Sequence, residues 1–171
     1  MGSVAGLHAE LDALLAADAA GLSDEALRSQ VRQLLAASNR LFALLADRVA
    51  HFDARALSHT DGFRSTPAWL RAFGRLSGHA AASLVRAGRV LRRLPGLAAA
   101  AAAGAASPEH VTRVSLLAGQ IGEDNVLPAD QTLAHAAAQL GPADLGRLCD
   151  RVHHQAFPMS LGAEGCGVLF F

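Results

Sequence analysis

Between Leu27 and Phe52 the apolar residues Val31, Leu34, Leu35, Leu41, Leu44, Leu45 and Val49 recur at the spacing of one helical face, and neither Pro nor Gly interrupts them. That period predicts a single helix reaching about Leu57. A helix of roughly 30 residues crosses a whole small domain at 1.5 Å per residue and needs partners along its length. The remaining residues must supply them. Ala and Leu dominate the apolar fraction, Tyr is absent, and Val and Ile are sparse, which favours helix over sheet because these side chains lose little rotamer freedom in a helix. An all-α fold is expected: one multi-helix bundle with one long helix, in a chain of 171 residues that suffices for one domain.

Punctuation places the other elements. Leu7, Leu11, Leu14 and Leu15 suggest a first short helix ending near Gly21, and Ser23 followed by Asp24 and Glu25 is a good start for the long one. Residues 58–62 read as a turn around Asp61-Gly62. Thr66 is the expected N-cap of a short helix with Pro67 at its first position, closed by Gly74; Ser77 caps a second helix stopped by Pro95-Gly96. Helix, four-residue turn, helix is the result, a helix-turn-helix-like pair. Leu97–Ala103, a start at Ser107-Pro108-Glu109, and starts at Pro128 and Pro142 complete the helices, the last burying Leu145, Leu148 and Val152.

Charge is unevenly spread. All 15 basic residues are Arg; the chain is formally neutral, yet residues 62–108 carry seven Arg and no acid. These are Arg64, Arg71, Arg75, Arg86, Arg89, Arg92 and Arg93. At 100° per residue the helix after Ser77 puts Ala80, Leu84, Ala87, Gly88 and Leu91 on one face. His79, Arg86, Arg89 and Arg93 fall opposite, with Arg92 at the flank. An arginine strip of this kind suits phosphate contacts and guanine edges; the competing reading pairs it with acids from elsewhere, such as Asp47, Asp53 or Glu109.

A family resemblance enters at Asp61-Gly62-Phe63-Arg64-Ser65-Thr66-Pro67-Ala68-Trp69-Leu70, followed by Leu76-Ser77, the Arg-rich helix to Leu94-Pro95, and Ser107-Pro108-Glu109-His110. Over roughly residues 5–157 the chain resembles the actinobacterial domain of unknown function numbered 222, also called the 13E12 repeat family. The resemblance implies an all-helical module that in many relatives precedes an HNH endonuclease domain. In such a nuclease a histidine base activates water and a divalent metal stabilises the leaving group, beside zinc-binding cysteine pairs. This sequence has no His-Asn-His arrangement and no Cys-x-x-Cys. Residues 158–171 do not continue the family pattern and read as a truncated or frameshifted tail.

No paired carboxylates, nucleophile with base or phosphate-cradling loop can be assembled, so the chain is not expected to be an enzyme by itself, nor to need a cofactor or small-molecule substrate. Cys149 and His153, four apart on one predicted helix, are too few for a metal site. Trp69, beside Leu70 and Phe73, is expected to anchor the core in preference to stacking on bases. Arg64 reads equally as a phosphate contact or as a brace for the turn. The opening residues lack a secretory pattern and no apolar run reaches membrane-spanning length, so a cytoplasmic location without membrane contact is expected. The functional expectation is a non-catalytic module assisting nucleic-acid binding, with DNA as partner. The alternatives are a protein-interaction or structural module, including a homo-oligomer built on the long helix, and a nuclease remnant without activity.

Overall fold

The computed structural model describes residues 4–156, and every regular element in that range is helical. The tail read as atypical, 158–171, lies outside the described residues. The chain forms two compact units that meet in sequence between Ala37 and Ser38. No helix among the described residues is long and apolar enough to cross a membrane.

The first unit contains α1 (Val4–Ala16), a 3-10 turn at Ala19–Gly21 capped by Asp18, and the start of α2 (Asp24–Ala54). The long helix is present as the period demands. It stops three residues before the expected Leu57, where Ala56 takes a left-handed conformation. Ser23 accepts the Ala26 amide at 3.3 Å, as its place before Asp24 and Glu25 suggests. No residue of α1 is buried.

The second unit holds the core. After the C-terminal half of α2 come α3 (Leu57–Thr60), α4 (Thr66–Gly74), α5 (Gly78–Arg93), α6 (Pro95–Ala102), α7 (Pro108–Ile121), α8 (Glu123–Val126), a 3-10 turn at Leu127–Ala129, α9 (Asp130–Gln139) and α10 (Pro142–Ala156). Leu94, Leu97, Leu117, Leu133 and Leu145 are its largest fully buried side chains. Leu148 and Val152 of α10 pack against it half-buried. α5 meets α2 at very short range through small residues: a Cβ added to Gly88 would stand 2.5 Å from the Ala46 carbonyl oxygen and 3.0 Å from the Ala50 Cβ. Only a residue without a side chain lets the two backbones approach so closely.

Two buried polar groups tie distant segments together. The Asp130 carboxylate accepts the Gly96 and Leu97 amides at 2.7 and 2.9 Å, so the start of α6, which has no local side-chain cap, is capped from 33 residues away. His110 closes a capping box with Ser107 and donates from Nε2 to the Leu140 carbonyl at 2.8 Å. Both are satisfied as buried polar groups must be.

Several local expectations shift. Residues 58–62 are not all turn, since Leu57–Thr60 form one helical turn before Asp61-Gly62. Ser65 caps α4, accepting the Ala68 amide at 3.4 Å, and Thr66 lies inside the helix, buried, with its hydroxyl toward Ser58. The helix pair is joined by three residues, 75–77. The left-handed C-cap falls on Arg75, φ 52°, although Gly74 precedes it.

Candidate nucleic-acid interface

The segment from Asp61 to Trp69 builds one side of the region. Phe63 donates its amide to the Ser58 carbonyl at 2.9 Å, and Gly62 supplies the positive φ the turn requires. The Trp69 indole N–H donates to Asp61 at 2.7 Å, while its ring lies 4.6 Å from both Phe52 and Phe73. Trp69 is thus an anchor between aromatic neighbours, with its one polar atom satisfied by the acid of the Asp-Gly turn. Arg64 is exposed and braces nothing: among the described residues it has no ion pair or side-chain hydrogen bond.

α5 is the other side. Its inner face buries Ala81, Leu84, Val85, Ala87, Gly88, Val90 and Leu91, and Arg86, Arg89, Arg92 and Arg93 are all exposed. The strip is therefore on the surface, but it is not uniformly free. Arg89 donates twice to the Asp53 carboxylate, at 3.0 and 2.7 Å. Burial works against the charged form of Asp53, and hydrogen bonds from Arg89 and Thr66 outweigh it, holding the carboxyl below its ordinary value. Arg93 pairs with Asp124 and, at 3.7 Å, with Glu123. Glu123 and Asp124 stand in the first turn of α8.

Of the acids considered as partners for the strip, only Asp53 serves. Asp47 is occupied by Arg48 and His51 on its own helix, and Glu109 makes no ion pair among the described residues. Arg71, Arg75, Arg86 and Arg92, with Arg64, likewise have no acidic partner among the described residues. Arg89, Arg92 and Arg93 converge with Asp53 and Glu123 on an open cleft of about 440 Å³. Three arginines and two acids line it, and both Arg89 donors end on one oxygen of Asp53.

Elsewhere, no group of three His, Cys, Asp or Glu among the described residues is placed to hold a metal ion. Cys149 is buried, and burial pushes its thiol up to about 11. It behaves as a core residue.

Comparison with known proteins gives a match to one family model, described as Domain of unknown function (DUF222), over residues 24–158. No curated protein and no solved structure matches the chain.

Proposed function

The chain belongs to the DUF222 family, and on that premise we propose that it is a non-catalytic helical module that binds nucleic-acid phosphates, with duplex DNA as the partner, in support of an HNH nuclease. The observation that supports this reading is the set of exposed guanidiniums without acidic partners among the described residues: Arg86 and Arg92 on α5, and Arg64, Arg71 and Arg75 around α4. Solvated helix faces usually interleave both signs, whereas residues 62–108 hold Arg alone. Arg89 and Arg93 contribute by exchanging carboxylate for phosphate. The Arg93–Asp124 pair is exposed and exchanges readily, whereas Asp53 is largely buried, so Arg89 exchanges less easily.

Fluorescence anisotropy of labelled duplex DNA at several salt concentrations tests the reading. Engagement of about five phosphates gives a slope of log K against log salt near −4.5. Arg86→Ala with Arg92→Ala should flatten that slope by about 2. Absence of binding at low salt, or binding indifferent to salt, would refute the reading.

A further inference from the structure

A row of aromatic rings in the second unit leads from the arginine cleft to the surface. Phe52 of α2 directly precedes Asp53, the partner of Arg89, and its ring lies 4.6 Å from that of Trp69. Trp69 lies 4.6 Å from Phe73, and Phe73 meets Phe63 edge to face at 5.7 Å. Phe52, Phe63 and Trp69 are half-buried, whereas Phe73, at the end of α4, is 64 % exposed. Phe73 is therefore not an isolated apolar side chain on the surface. It is held by two neighbouring rings and still has room for a third, and a ring already fixed in place loses little freedom when another stacks on it.

Charge at the exposed end says what such a ring fits. Arg64 follows Phe63 directly, and Arg75 stands two residues past Phe73; both are exposed and have no acidic partner among the described residues. Arg75 also holds a left-handed backbone, φ 52°, which a residue with a side chain rarely adopts, and strain of this kind gathers at functional sites. Asp61, the acid beside the row, is taken up by the Trp69 indole at 2.7 Å. A purely apolar partner would use the ring and leave both cations idle. A phosphate alone would use the cations and leave the ring in water. A nucleotide whose base has left the duplex uses both, because stacking platforms for single strands combine an aromatic face with cations for the backbone.

We propose that Phe73, with Arg64 and Arg75, is a stacking site for an unpaired base of single-stranded DNA, so that the chain engages a duplex best where a strand overhangs. The proposal rests on the phosphate reading and deepens it. The arginines of α5 hold the paired region, α4 packs against α5, and the aromatic row runs from the Asp53–Arg89 pair to the stacking site. Stacking on Phe73 is indifferent to base identity, since every base offers a π face.

Fluorescence anisotropy with a labelled blunt duplex and the same duplex carrying a short thymidine overhang tests it. The wild-type chain should bind the overhanging form about tenfold more tightly. Phe73→Ala should lose that preference while keeping its affinity for the blunt duplex and its helical circular dichroism, because the side chain is exposed. Phe73→Tyr keeps a ring and should keep the preference; Phe73→Leu, apolar without a ring, should lose it. Equal binding of the two forms by the wild type, or a preference that survives in Phe73→Ala or Phe73→Leu, overturns the stacking site. Salt-sensitive binding of the blunt duplex would in that case leave the phosphate reading standing, whereas binding of neither form refutes both. Self-association without DNA that Phe73→Ala abolishes also overturns the proposal, by giving the ring to a second copy.

Discussion

Gly88→Ala is a sharp test of the α2–α5 crossing. The added methyl would sit 2.5 Å from the Ala46 carbonyl oxygen, a backbone atom that cannot turn aside, and 3.0 Å from the Ala50 Cβ. Non-bonded heavy atoms prefer about 3.5–4.0 Å, so the helices must part by roughly 1 Å along the crossing. Overpacking of this kind costs about 1–3 kcal/mol. Replacing Gly by Ala inside a helix returns about 0.5–1 kcal/mol, leaving a net loss of about 1 kcal/mol and at most about 2.5 kcal/mol. For a chain of this size a loss of about 1 kcal/mol lowers the melting midpoint by about 2–4 °C. Gly119→Ala is the control: Gly119 also lies in a helix, α7, but its added Cβ meets nothing within 4 Å. There only the propensity gain remains, worth up to about 1 kcal/mol of stabilisation. Thermal and urea unfolding followed by circular dichroism should therefore move in opposite directions for the two variants. A Gly88→Ala protein that unfolds at or above the wild-type midpoint would refute the close crossing.

Three further outcomes follow from the same contacts. Asp130→Ala strands the Gly96 and Leu97 amides and should cost about 1–3 kcal/mol in urea unfolding. Arg89→Ala should cost at most about 1 kcal/mol at neutral pH, since the pair is partly exposed. A lowered carboxyl pKa stabilises above the unfolded value and that contribution is lost as pH falls, so the Arg89→Ala and wild-type urea midpoints should converge below about pH 4. Cys149, with its thiol near 11, is ionised in only about one molecule in a thousand at pH 8. In a Cys166→Ser background, alkylation should proceed only upon unfolding, and rapid labelling of the native chain would contradict the burial of this thiol.

What could be read from the sequence was whatever depends on neighbours within a few residues. The faces of α5, the Ser77 and Ser107 caps and the uninterrupted α2 all follow from period and capping chemistry. The α4 cap slipped by one position because Ser65 and Thr66 offer the same hydroxyl side by side, and Thr66 is buried with its hydroxyl turned toward Ser58. The sequence offers Gly74 to close α4, yet Arg75 takes the left-handed position. In the candidate interface, the seven arginines were visible as a group, but their division into engaged and free was not. Arg93 meets acids 30 and 31 residues away, and no local pattern announces contacts of that range.

The capping of α6 from Asp130 also orders events during synthesis. An eight-residue helix is too short to persist alone in water, and this one begins with no side chain of its own to hold its first amides. Its cap emerges from the ribosome more than thirty residues later, on the segment that opens α9. Until then Pro95 at the first helical position is the local signal for where that helix begins. Asp130 therefore completes the capping of a helix made long before it.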